Sequence, residues 1–149
     1  MVAATAFVIA GALRLTAASE QLGLSAWFAV FFFVVAAAQI AYGVLVSIGS
    51  PRATSAPAVF AASAISLGLV GLWLVATTAT VPIYPLMNGA LAVDVIDLST
   101  ALLEMIGVAA LCKSLPQPAR GRVTWTLVAL VAAAWLVWVF VIVTNGLTD

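Results

Sequence analysis

The residues of this sequence that could do chemistry are a few acids and bases set within long apolar stretches. Asp97 and Glu104 are seven residues apart, so a helix carries both on one face, with Thr100 between them on the same side. Ionised carboxylates are costly in an apolar medium, so they face the interior of a bundle and pair with another group. These residues therefore mark a candidate polar cluster.

Two further polar residues are candidate partners, Arg14 and Gln39. Counting depth from the ends of the apolar segments places Arg14 level with Asp97, which predicts an ion pair. The same count places Gln39 within a turn or two of Glu104, which predicts a hydrogen bond. With Arg14 assigned to Asp97, Glu104 has no base beside it and is predicted to be protonated, because burial disfavours the ionised form.

Three interpretations of this cluster stay open. It could be a satisfied polar group that fixes helix register, a site that handles protons or cations, or a site for a small ligand or lipid headgroup. Glu20 and Asp94 are predicted to lie at the outer mouth of the cluster. The spacing of Asp94 and Asp97 resembles half of a carboxylate metal site, but such pairs also stabilise a helix N-terminus through its dipole.

Catalytic and cofactor motifs are not found in the sequence. Histidine is absent and Cys112 is the single cysteine, which excludes a Cys-His or Ser-His pair, an intramolecular disulfide, and the commonest ligand for zinc and haem. No glycine-rich phosphate loop precedes a helix. We therefore predict no catalytic residues, no metal and no cofactor, and a protein that is not an enzyme is the favoured expectation.

The composition indicates that lipid is the main solvent of this chain. Hydrophobic residues make up 66% of the 149 residues and charged residues 7%, with a mean hydropathy of +1.28. Soluble domains carry roughly 25% charged residues. The formal net charge is zero, so the composition indicates neither a nucleic-acid partner nor a polybasic lipid-binding patch.

Five stretches are long enough to span a membrane, which takes roughly 20 apolar residues in a helix. They cover about residues 2–18, 26–48, 58–78, 94–112 and 123–144. The first is short and contains Arg14, whose charge could snorkel to the outer interface, so four spans are the alternative. The expected fold is all-α, a polytopic transmembrane helical bundle in which residues 1–149 form one domain.

Loop charges predict the orientation, because Lys and Arg near span ends prefer the cytoplasmic side. The basic residues lie in the second and fourth connections between the five stretches, and the acidic residues lie in or near the first and third connections and in the C-terminal tail. This distribution predicts an inner (plasma) membrane protein with its N-terminus in the cytoplasm and its C-terminus outside. The residues used are Arg52, Lys113, Arg120 and Arg122 against Glu20, Asp94 and Asp149.

Segment three carries Ala64, Gly68 and Gly71 on one side, with Ser63 and Ser66 nearby. Small residues at such spacing allow membrane helices to approach closely, so this side is predicted to pack against another helix.

One region is similar to a known group of proteins. Residues Trp73-Leu74-Val75, then Pro82 and Pro85, then Asp97 and Glu104, resemble a pattern of small bacterial multi-helix membrane proteins to which no activity is assigned, and the similarity extends weakly to Gln39 and Gly11. Relatives tend to carry His near the position of Arg14 and Arg near that of Thr77. The resemblance implies a family and a membrane fold, and it implies no activity.

Two functions are consistent with these patterns. The favoured one is a structural or accessory membrane subunit, with the lipid bilayer, other membrane subunits or further copies of itself as partners. The alternative is a small transporter or channel component that uses Glu104 and Asp97 to handle protons or cations.

Overall fold

The structure is a computed structural model that describes residues 1–21, 26–78 and 94–146. Its described residues form five helices and no strand. They are α1 (Val2–Gln21), α2 (Ala26–Ser47), α3 (Ala56–Thr78), α4 (Val95–Ser114) and α5 (Gln117–Gly146). All five are long and apolar enough to cross a membrane. The prediction of a polytopic helical bundle with five spans is confirmed.

Two predicted boundaries are wrong. Helix α1 continues to Gln21, through residues 19–21 that were assigned to a loop. Helix α5 begins at Gln117, so the predicted fourth loop shrinks to Leu115 and Pro116. Proline is tolerated in the first turn of a helix, where backbone N–H groups have no partner inside the helix, so Pro118 starts α5 rather than ending a loop.

The helices alternate in direction, and one apolar cluster joins the same end of all five. It combines the first turns of α1, α3 and α5 with the last turns of α2 and α4. Its members include Ala3, Phe7, Tyr42, Val46, Ala56, Val59, Leu111, Leu115, Ala119 and Val123. The Tyr42 hydroxyl also donates to the Ala53 carbonyl oxygen at 2.9 Å, tying α2 to the turn before α3. We call this the basic end, because Arg52, Lys113, Arg120 and Arg122 all lie beside the cluster.

Helices α1 and α2 form a tight antiparallel hairpin built on small residues at heptad spacing. Ala4, Gly11 and Ala18 are buried on α1, and Ala29, Ala36 and Gly43 are buried on α2. A Cβ added at Gly11 would lie 2.9 Å from the Ala36 carbonyl oxygen, and one at Gly43 would lie 2.9 Å from the Ala4 carbonyl oxygen. The backbones thus approach closely at two levels, which fixes the register of the hairpin.

Helix α3 packs through part of the side that was predicted, and Ala64 contacts the apolar cluster. Val59, Ser63 and Ser66 are buried, whereas an added Cβ at Gly68 or Gly71 would meet no described atom within 4 Å. Among the described residues, the predicted packing is therefore found at Ala64 and is not found at Gly68 or Gly71. Serine is small enough to be buried where two membrane helices meet, and the Ser63 hydroxyl is buried there without a hydrogen-bond partner among the described residues.

Candidate functional site

Arg14, Gln39 and Glu104 form a closed triad of hydrogen bonds between three helices. The Arg14 Nη2 atom lies 2.5 Å from Glu104 Oε1, and the Gln39 Nε2 atom donates to the same oxygen. Arg14 Nε donates to Gln39 Oε1 at 3.3 Å. Helices α1, α2 and α4 are therefore each joined to the other two through polar atoms.

The triad lies near the middle of its helices. Glu104 is the tenth of the 20 residues of α4, about 15 Å from either end at a rise of 1.5 Å per residue. Glu104 is 1% exposed and Gln39 is 7% exposed, and the Arg14 side chain is 11% exposed. The predicted hydrogen bond between Gln39 and Glu104 is confirmed.

The register of the helices brings Arg14 to this level. Gly11 contacts the backbone at Ala36 and Ile40 on α2, and an added Cβ at Gly107 on α4 would meet the Phe7 ring at 2.9 Å. Gln39 and Glu104 therefore lie level with about residue 10 of α1, one turn before Arg14. Side chains on a helix tilt toward its N-terminus, so the long Arg14 side chain reaches back to that level.

The predicted ion pair of Arg14 with Asp97 is wrong, because the structure pairs Arg14 with Glu104. The depth count failed for two reasons. Because α1 ends at Gln21 rather than near residue 18, Arg14 lies about 4.5 Å deeper than assumed. Its side chain then extends further down, away from the first turn of α4, which contains Asp97.

The same contact contradicts one dependent prediction and removes the premise of another. Arg14 does not snorkel to the interface, since its guanidinium binds a buried carboxylate and lies 5.7 Å from the centroid of the Phe32 ring. The argument for a protonated Glu104 assumed that no base was near. That premise does not hold, because the Arg14 guanidinium lies beside the Glu104 carboxyl group.

Thr100, Asp94 and Asp97 have no hydrogen bond to the triad in the part of the chain that the structure describes. Thr100 is buried on the expected face, but its hydroxyl donates to the Ile96 carbonyl oxygen of its own helix at 2.8 Å. Asp94 is the exposed N-cap residue of α4, and Asp97 lies in the first turn. Both acids are placed where a helix dipole favours negative charge. Glu20 lies in the last turn of α1 by its backbone.

One oxygen of the site has no hydrogen-bond partner within the described ranges. Glu104 Oε2 is buried and has no hydrogen-bond partner among the described residues, whereas Oε1 accepts from two donors. The arrangement can hold a charge pair in a dry medium and can accept one further donor at Oε2.

Sequence reasoning missed the residues that support the triad. Phe7 is 2% exposed, packs edge-on against Tyr42 with ring centroids 5.5 Å apart, and fills the space below the triad beside Gly107. The missed signal was the repeat of small residues every seven positions in both of the first two segments, which predicts an antiparallel pair in one register.

The chain was compared with known families, curated proteins and solved structures, and none of them matches it.

Proposed function

We propose that this chain is a non-catalytic structural or accessory subunit of a membrane assembly, in which the Arg14–Gln39–Glu104 triad fixes the packing of α1, α2 and α4. The observation that carries the proposal is the enclosure of Glu104, which is 1% exposed and bonded to both neighbouring helices. A buried polar group of this kind specifies register, because every displaced arrangement leaves a charge unpaired.

The distribution of packing supports the same role. Helices α1, α2 and α4 hold the triad and the small-residue hairpin, whereas α5 exposes large apolar side chains along most of its length. Those more than half exposed include Trp125, Val128, Trp135, Leu136, Val137 and Phe140. Such a face is suited to lipid or to another membrane subunit, which are the partners that we propose.

The second candidate function is proton or cation handling at Glu104. It is favoured by one observation, the unpartnered Oε2 atom. The permanent positive charge of Arg14 at 2.5 Å opposes it. A carboxylate that binds a guanidinium loses the attraction between the two charges when it takes up a proton, which makes proton uptake costly. The fixed pair therefore favours structure over transport.

The test is ion flux in proteoliposomes. Purified protein and its Glu104→Gln variant are reconstituted with a pH-sensitive dye inside the vesicles, and proton entry is followed under an imposed potential with sodium or potassium outside. We expect both samples to leak no faster than protein-free vesicles. Flux of the native protein that the variant loses, with equal incorporation of both, would overturn the proposal in favour of transport.

We further propose that the protein lies in a bacterial inner (plasma) membrane with its N-terminus in the cytoplasm and its C-terminus outside. The charge distribution supports this orientation: Arg52, Lys113, Arg120 and Arg122 lie at the basic end, and the sequence places no acid there. The resemblance to small bacterial membrane proteins supports the same location.

A further inference from the structure

Three cations lie close together in sequence on either side of the α4–α5 turn. Lys113 lies in the last turn of α4, and Arg120 and Arg122 lie in the first turns of α5. Only Leu115 and Pro116 separate the two helices. The sole ion pair among the described residues is Arg14 with Glu104, so these three cations carry no acid partner there. The first turn of α5 also contains no acidic residue.

The three cations differ in how they are held. Arg120 is half-buried and donates from Nε and Nη2 to the Leu115 carbonyl oxygen, at 3.3 and 3.0 Å, which fixes its guanidinium at the end of α4. Lys113 and Arg122 are exposed. The one bond that the described residues give Arg122 runs from Nε to the Pro118 carbonyl oxygen at 3.4 Å, which leaves its terminal nitrogens turned to the surroundings.

An exposed tryptophan marks the depth of this turn in the bilayer. Trp125 is 75% exposed and follows Arg122 by one helical turn. Tryptophan prefers the interface between hydrocarbon and headgroups. With Trp125 at that level, Arg122 lies about 4.5 Å closer to water, at the level of the lipid phosphates.

We propose that the two exposed cations at this turn, Lys113 and Arg122, bind the phosphates of anionic phospholipids, with Trp125 against the glycerol region of the lipid beside Arg122. Charge complementarity selects this occupant, because lipid phosphate is the anion present at this depth in every membrane, and the positive end of the α5 dipole adds to the attraction. The site is independent of the proposed structural role of the triad.

Quenching of Trp125 by brominated lipids tests the site. A variant that keeps Trp125 alone, with the other four tryptophans changed to Phe, is placed in bilayers that contain brominated phosphatidylglycerol or brominated phosphatidylcholine at equal fractions. We expect phosphatidylglycerol to bind beside Trp125 on the order of fivefold more strongly. Lys113→Gln with Arg122→Gln should reduce this preference to near one.

Arg52→Gln is the matched control, because Arg52 is an exposed cation at the same end but in the α2–α3 turn. We expect it to leave the preference unchanged. Equal losses from Arg52→Gln and Arg122→Gln would mean diffuse attraction and would overturn the site. Displacement of the lipid by inorganic phosphate at millimolar concentration would show a soluble-anion site instead, and would also overturn the proposal.

Native mass spectrometry of the unaltered chain provides a second measurement that does not depend on the tryptophan replacements. The chain should retain more phosphatidylglycerol than phosphatidylcholine from an equal mixture, and Lys113→Gln with Arg122→Gln should remove the difference. Equal retention of the two lipids by the unaltered chain would contradict the proposal.

Discussion

Arg14 and Glu104 depend on each other, and their mutual dependence reverses what the sequence alone predicts for Glu104. A protonated acid would be replaced by glutamine without loss. In the structure, however, Glu104→Gln removes the counter-ion of a buried guanidinium. Removing one partner of a buried pair costs about 3–5 kcal/mol, because the remaining charge is left uncompensated.

We therefore expect Glu104→Gln and Arg14→Leu each to lower the free energy of unfolding in detergent by about 3–5 kcal/mol. The double variant Arg14→Leu with Glu104→Leu should recover part of that loss, since apolar residues of similar volume leave no unpaired charge. Denaturant titration followed by circular dichroism measures each value.

The matched control is a second double-mutant cycle, of Arg14→Leu with Asp97→Leu. Coupling in the first cycle should reach about 0.5–3 kcal/mol and exceed that in the second. A larger coupling of Arg14 to Asp97 than to Glu104 would restore the pairing that depth counting predicts and contradict the structure.

At the residue level, the sequence identified the members of the site but not all of their contacts. Arg14, Gln39 and Glu104 were recognised because polar residues inside apolar segments are rare and must find partners. The choice between Asp97 and Glu104 depended on three residues at the end of α1 and on the direction of one long side chain. Hydropathy reports neither of these features, so the partner of Arg14 could not be predicted from the sequence.

Close contact between helices depends on glycine in one part of the bundle and not in another. On α1 and α2, the space that an added methyl group would need is occupied by carbonyl oxygens, which move only with the backbone. On α3, the space around Gly68 is open among the described residues. Replacing glycine with alanine should therefore destabilise the α1–α2 hairpin but should not destabilise α3.

We expect Gly11→Ala and Gly43→Ala each to destabilise the protein by about 1–3 kcal/mol, the usual cost of overpacking. Gly68→Ala, the control, should be neutral or stabilise the protein by up to about 0.5–1 kcal/mol, because alanine loses less conformational freedom in a helix. Thermal unfolding in detergent ranks the three. A Gly68→Ala loss as large as that of Gly11→Ala would mean that α3 has a partner on that side.

At the element level, hydropathy predicted all five helices because each must be apolar over the thickness of a membrane. It did not predict which faces pack, since lipid-facing and helix-facing residues are both apolar. Because apolar character does not distinguish the two kinds of face, the packed face was predicted on α3, although the closest contact between helices is made by the small residues of α1 and α2. A search for one spacing shared by two consecutive segments would have favoured the α1–α2 hairpin.

The whole molecule separates its charges by end, and this separation predicts its orientation. Arg52, Lys113, Arg120 and Arg122 lie at the basic end. We expect Ala119→Cys to be labelled from the cytoplasmic side only and Thr148→Cys from outside only, each in a Cys112→Ala background. Position 148 lies outside the described residues, but its side of the membrane follows from five spans.

Labelling of intact cells with a membrane-impermeant thiol reagent measures this, with lysed cells as the control for accessibility. Reaction at position 119 in intact cells would reverse the orientation. Reaction at both positions from the same side would mean that α5 does not cross the membrane.

The contact between Arg14 and Glu104 also has a consequence for how the chain is made. The two residues are 90 positions apart, and Gln39 is 25 positions from Arg14. A ribosome that adds roughly 5–20 residues per second delivers Glu104 about 5–18 s after Arg14. If the helices insert in chain order, the Arg14–Gln39 bond can form before Glu104 is synthesised, and the carboxylate joins it only when α4 inserts. Completion of the triad is thus a late event of biogenesis, set by the arrival of the fourth helix.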